Sequence, residues 1–145
     1  MKHRLNPDLT TIDWKKMDDI FGKVGWSVRE PEDIKASFEK SAYSIFIYND
    51  DDEVVAFGRT VDDGRYYAML ADIVVDPDFQ GEGVGSFIVE TLREKLEADD
   101  YHFITLTAAP GKDDFYRAIG WKKQSSSFIW PLSEKQERQH VEPEE

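Results

Sequence analysis

Cysteine is absent from the 145 residues. That removes disulfides, thiolate metal ligands and a cysteine nucleophile. Histidine is nearly absent: His3, His102 and His140 are isolated in the chain and offer no metal-ligand spacing, so no metal is expected. No apolar run approaches the roughly 18 residues that span a bilayer, and the opening MKHRLNPDLT lacks the apolar stretch of a secretory signal. The expectation is a soluble, cytoplasmic chain with no membrane partner. Positive charge is the scarce sign, with 18 Lys and Arg against 30 Asp and Glu and a formal net charge of −12. Nucleic-acid surfaces are built on basic patches, and the basic side chains here are scattered among acids, so nucleic acid is not an expected partner. The acidic surplus serves solubility, and it favours the approach of cationic ligands such as amines.

The length suits one domain, and 40% hydrophobic with 13% aromatic content is too rich for disorder. KHRLN reads as a short first strand. Asp13 caps a helix that begins at Trp14, with Trp14, Met17, Ile20 and Phe21 at helical spacing. Pro31 suits the first position of a second helix, continued by Ile34, Phe38 and Ala42. SIFIY and VVAFGRT form a hairpin around NDDDE, and YYAMLADIVV makes a longer strand. Val84, Ile88, Leu92 and Leu96 then give an amphipathic helix. HFITLTA reads as a strand, KDDFYRAIG as a short helix, and WKKQ and SSFIWPL as closing strands. The domain is expected to cover residues 1–132, followed by a polar, acidic and frayed tail at 133–145. This order predicts a mixed α/β fold with helices on both faces of one sheet.

Glycine is sparse, nine in all, yet Gly81, Gly83 and Gly85 fall within five positions where a strand meets a helix. Glycine weakens both elements, so the joint needs bare backbone. The first N–H groups of a helix lack helical acceptors and attract anions, and small residues there let a phosphate approach. A P-loop needs Lys and Ser or Thr after its last glycine, but Ser86 and Phe87 follow here. A dinucleotide fingerprint needs a differently spaced third glycine after the first strand. What stands is Gln80-Gly81-Glu82-Gly83-Val84-Gly85, preceded by DIVVDPDF. This run resembles the acyl-CoA pyrophosphate motif of the GNAT superfamily of acyl-CoA-dependent N-acetyltransferases. GKDDFYRAIGW resembles a second family segment, with Phe115, Tyr116, Gly120 and Trp121 in place, and Trp121 stands where Phe is commoner.

The resemblance spans Lys2 to about Leu132 and implies a GNAT-type fold. Its central, mostly antiparallel sheet splays at the strand ending near Val75. It implies acetyl-CoA as co-substrate, with pantetheine along Ile73, Val74 and Val75. The pyrophosphate would rest on the amides of Gln80, Gly81, Glu82, Gly83, Val84 and Gly85. It implies that a backbone N–H, at Val74 with Ile73 as neighbour, meets the oxyanion, and that Tyr116 protonates the leaving thiolate. Lys112 is a candidate for a coenzyme phosphate. Asp72 shares a strand face with Val74, and a carboxylate in an apolar strand is costly unless paired or useful. It is therefore either the base for the amine or one half of an ion pair. Arg59 and Glu30 are further polar candidates near the acceptor cleft. Trp26, on the loop joining the first two helices, is the candidate wall of the acceptor pocket. The expected activity is N-acetylation of a small-molecule or peptide amine, by a chain that a homodimer would also suit. A non-catalytic acyl-CoA sensor is the alternative. A toxin-like acetyltransferase acting on charged tRNA shares the fold, but the charge of −12 weighs against it.

Overall fold

The Asp13 carboxylate accepts the Lys16 N–H at 3.0 Å and starts helix α1, Trp14–Lys23, satisfying a donor that the helix itself cannot. Pro31 opens helix α2, Pro31–Glu39, where its missing N–H costs nothing. The computed structural model describes residues 1–27 and 29–143. Five strands form one sheet in chain order: β1 Lys2–Leu5, β2 Ser44–Tyr48, β3 Val54–Asp62, β4 Tyr67–Val75 and β5 Phe103–Leu106. All neighbours are antiparallel except β4 and β5, which are parallel. Parallel neighbours need a crossover, and helix α3, Val84–Ala98, provides it.

Short polar loops fix the hairpins. The Asn49 side-chain oxygen accepts the N–H groups of Asp51 and Glu53 between β2 and β3. Asp63 accepts those of Arg65, Tyr66 and Tyr67 between β3 and β4, which holds its carboxyl below the usual range.

Helices α1 and α2 cover one face of the sheet. Met17, Ile20, Phe21, Ile34 and Phe38 pack with Phe46, Phe57 and Val74. Burying one phenylalanine is worth about 2–3 kcal/mol, whereas an exposed ion pair such as Lys15–Asp19 is screened by water and adds little. Apolar packing therefore holds this layer. Helix α3 covers the other face, burying Val84, Ile88, Val89, Leu92 and Leu96. It comes closest at Gly58, where an added Cβ would lie 2.7 Å from Ile88 Cγ2 and 2.8 Å from Ile73 Cδ1.

The chain forms two compact units, Met1–Leu106 and Thr107–Glu145. The second holds helices α4, Asp113–Ala118, and α5, Glu134–His140. Two expectations are corrected there. The stretch beginning at residue 134 forms α5 rather than fraying, because the Ser133 hydroxyl accepts the Gln136 N–H at 3.0 Å. The strands expected at 121–124 and 126–132 do not form, and among the described residues no strand follows β5. Alternating apolar residues such as Phe128, Trp130 and Leu132 make a strand only when a neighbouring strand completes the ladder, and all three are exposed.

Replacing Gly58 by alanine should force α3 away from the sheet. We expect Gly58→Ala to lose about 1–3 kcal/mol, read as a lower midpoint in chemical denaturation with an unchanged slope.

Candidate active site

Strand β4 outlasts its parallel partner. Pairing with β5 runs from Tyr67↔Phe103 to Leu70↔Leu106 and stops, while β4 continues to Val75. Among the described residues the edge from Ala71 to Val75 therefore has no strand partner on that side.

On its other side β4 keeps β3, but with one irregularity. Phe57 faces Val74 and Arg59 faces Ala71, so Asp72 and Ile73 together oppose Gly58. This is a bulge, and Asp72 carries the left-handed φ of 53° that accommodates the extra residue. Just beyond, the Asp76 N–H donates to the Val55 carbonyl at 2.8 Å. Antiparallel alternation then turns the N–H of Val74 toward β3 and those of Ile73 and Val75 toward the open edge.

Asp72 is buried on the face covered by α1 and α2. One oxygen accepts Arg59 Nε at 2.6 Å and the other accepts Arg29 Nη1 at 3.1 Å. Arg59 also reaches the Ser37 carbonyl and the Ser41 hydroxyl, both at 3.4 Å. The guanidinium of Arg29 lies over the rings of Phe21 and Trp26, 4.5 and 5.5 Å from their centroids. Trp26 is half-buried, tilted against Phe21 at 5.4 Å. Glu30 is exposed at the start of α2 and makes no capping bond with its side chain. Sequence inspection singled out Asp72, Arg59, Glu30 and Trp26 but passed over Arg29. A lone arginine in the loop between two helices carries no signal until the fold places it against a buried acid.

The glycine joint follows directly. Gly81 and Gly83 have φ of 82° and 81°, values that side-chain-bearing residues rarely adopt. A Cβ at either would meet no protein atom within 4 Å, so backbone conformation and open space, not crowding by the protein, distinguish these positions. Among the described residues the amides from Gly81 to Ser86 find no protein acceptor, and the first bond of α3 is Phe87 N–H to the Gly83 carbonyl, 3.1 Å. Gly85 lies in the first turn of α3.

Two contacts fix this joint. Gln80 Nε2 donates to the Val75 carbonyl at 3.1 Å, so its side chain braces the turn. Asp76 accepts the Asp78 N–H and the Lys23 ammonium, each at 3.0 Å. Burial alone would raise the Asp76 carboxyl, but the Asp78 N–H and Lys23 outweigh it and hold the group below its ordinary 3.8. A shallow cavity of about 380 Å³ flanks the joint, lined among others by Lys2, His3, Glu82 and Phe87. The sequence gives no hint of it because β1 and α3 meet only in the folded chain.

In the second unit, Tyr116 is half-buried on α4, edge-on to Phe115 at 4.9 Å, with Trp121 6.4 Å away. Burial pushes its phenol above 10, so it stays protonated at neutral pH. Lys112 precedes α4 as an exposed residue. Among the described residues no group of three or more His, Cys, Asp or Glu is arranged to hold a metal.

The glycine joint that opens the helix after β4 is a feature on which the sequence resembles the GNAT superfamily, and comparison with known proteins agrees. Residues 19–130 match the acetyltransferase (GNAT) domain. The chain belongs to that family. It is 30% identical over 115 residues to the uncharacterized N-acetyltransferase ycf52 of Porphyra purpurea, which covers 77% of this chain and 66% of the relative. It is 30% identical over 118 residues to serotonin N-acetyltransferase 2, chloroplastic, of Oryza sativa subsp. japonica, covering 77% and 58%. The chain thus matches between about half and two thirds of these relatives' own length. Among solved structures, glucosamine-6-phosphate N-acetyltransferase from Arabidopsis thaliana shares the fold with a TM-score of 0.72 at 16% identity, covering 92% of this chain and all of that one.

A carboxyl held below its ordinary value adds stability above about pH 4, and that stability disappears as pH falls through the folded-state value. Asp76→Asn should therefore lower the thermal midpoint at pH 7. It should also flatten the loss of stability as pH falls below about 4, relative to the parent. Equal acid limbs in the two proteins would show that Asp76 does not brace the joint.

Proposed function

We propose that this chain transfers the acetyl group of acetyl-CoA to the primary amine of a small molecule or peptide. The attack is direct, through a tetrahedral intermediate. The observation that carries the reading is a strand edge without a strand partner, followed after one short turn, Pro77–Phe79, by the amides from Gly81 to Ser86, which among the described residues meet no protein acceptor. Ile73 and Val75 offer donors and acceptors to pantetheine along that edge, with Val74 between them tied to β3. The amides from Gln80 to Gly85 suit the pyrophosphate, since a helix start supplies local positive potential even in a chain of charge −12.

Direct transfer makes three demands on the protein. The carbonyl oxygen gains charge as the amine nitrogen bonds to the carbon, and a preorganised backbone N–H is the efficient way to hold it. We assign that donor to Ile73 rather than Val74, because alternation directs the Ile73 N–H to the open edge. When the carbon–sulfur bond breaks, the thiolate takes a proton, and the resemblance of the FYRAIGW segment supports Tyr116 as its source. The amine must lose its own proton, which we assign to water. Both oxygens of Asp72 are engaged by arginines, so its part is to hold the bulge that aims Ile73. Lys112 remains a candidate partner for a coenzyme phosphate. Trp26 is the proposed wall of the acceptor pocket, and relatives named for amine acceptors, such as the rice serotonin N-acetyltransferase, support the amine class. Among the described residues no helix is long and apolar enough to cross a membrane. A cytoplasmic setting belongs to the proposal, although the rice relative is named chloroplastic.

Gly83→Val places a β-branched residue at a φ of 81° and puts its side chain where the amides face outward. Calorimetric titration with acetyl-CoA should show at least about a tenfold loss of affinity in a protein whose circular dichroism is unchanged. Equal affinity would refute the phosphate seat.

Tyr116→Phe removes the hydroxyl and keeps the ring. If Tyr116 is the acid, kcat and kcat/KM should fall together by roughly 10²–10⁴-fold, with acetyl-CoA affinity unchanged. Tight coenzyme binding by the parent without turnover on a broad amine panel would leave the sensor alternative standing instead.

A further inference from the structure

Two guanidinium groups converge on a single carboxylate on the acceptor face of β4. Arg59 and Arg29 each donate to Asp72, and this three-residue cluster carries a net charge of +1 inside a chain of net charge −12. The two arginines differ in what they have left to give. Arg59 has a side chain only 15% exposed and further contacts with Ser37 and Ser41. Arg29 has a side chain 35% exposed. Of its five N–H groups, one hydrogen bond, to Asp72, is made among the described residues.

The aromatic rings beneath Arg29 fix where it points. Its carbon lies 4.5 Å from the Phe21 centroid and 5.5 Å from that of Trp26. Trp26 therefore already has a cation over it, so the wall proposed for the acceptor does not seat a second one, such as an ammonium group. A stacked guanidinium is instead preorganised to present its remaining N–H groups as a fork to an anion.

The nearby acids do not cancel this. Glu30, Glu32 and Asp33 are exposed at the start of α2, where high-dielectric water weakens their pull, and none of them pairs with Arg29 among the described residues, whereas Asp72 is buried and engaged by both arginines. The cluster also lies close to the reacting atoms of the proposed transfer. Asp72 is the residue before Ile73, so an anion on Arg29 sits within a few residues' span of the amide that would hold the oxyanion.

We propose that Arg29, set by Asp72 and Trp26, is the specificity-determining residue of the acceptor site, and that the acceptor is an amine bearing a carboxylate or phosphate group. This inference rests on the acetyltransferase reading for the identity of the pocket. The shared chemistry is a compact anion taken in by the guanidinium fork, with the amine at the other end of the same molecule.

The test uses three matched series of three to six carbons: ω-amino carboxylates, the corresponding aminoalkyl phosphates, and the ω-amino carboxamides. Binding is measured by calorimetry with the full chain in the presence of coenzyme A, and turnover by release of free thiol from acetyl-CoA. We expect at least one anionic series to bind about tenfold or more tightly than the carboxamides, as a charge-assisted fork should, and the more tightly held series tells a carboxylate from a phosphate acceptor. In Arg29→Gln that preference should fall to near one, and in Arg29→Lys it should return in part, since the charge is restored without the fork. A parent that binds all three series equally, or a preference that survives in Arg29→Gln, overturns the proposal. Selective binding without thiol release from any series would instead count against the acetyltransferase reading, while upholding the anion site.

Discussion

Arg59 and Arg29 close on the Asp72 carboxylate at the point where β4 slips its register against β3. A left-handed φ on a buried, side-chain-bearing residue is a strained arrangement, and it persists only where neighbours over-determine it. Here Arg59 ties Asp72 to the opposite strand, and Arg29 ties it to the segment between α1 and α2. The bulge follows from those ties. Because of it, the edge beyond turns the Ile73 and Val75 amides away from β3. Removing Asp72 would leave the largely buried Arg59 guanidinium without its counter-charge, which costs far more than the pair itself contributes.

The second constraint lies a few residues on. Strand β4 must end and α3 must begin without covering the amides between them, and two left-handed glycines do this without side chains. The bare turn is kept in place from outside it. Asp76 is anchored by Lys23 of α1, and Gln80 by the Val75 carbonyl. The joint is thus open toward ligand and braced toward the protein, the arrangement a preorganised anion seat requires. The proposed anion seat is compatible with an acidic chain because helix-terminal dipoles act at short range, whereas net charge acts through screened distance.

The acceptor face combines both themes. Aromatic packing by Phe21, Phe38 and Phe57 builds the layer under α1 and α2. It also supplies the rings on which Arg29 and Arg59 rest. Packing and charge placement are therefore the same structure seen from two sides: the rings that hold the helices down also set the direction of the guanidinium groups.

Local chemistry in the sequence determined much of this. Asp13 and Pro31 start helices because capping and fixed φ act within one turn, and the period-two and 3.6 patterns separate strands from helices because burial is one-sided. The glycine spacing predicts bare backbone where a strand meets a helix, because glycine weakens both elements and three of them within five positions need a reason. Other features depended on partners distant in sequence. Whether Asp72 pairs or acts as a base turned on Arg29, 43 residues away. Which of Ile73 and Val74 faces the open edge turned on a one-residue slip against β3 that alternation alone does not reveal. The segment at 126–132 has the pattern of a strand without becoming one, and α5 forms where only a polar tail is legible. A side-chain period specifies a face, but a ladder, an ion pair or a bulge exists only when a second stretch of chain arrives to complete it, and that arrival is decided by the packing of the whole.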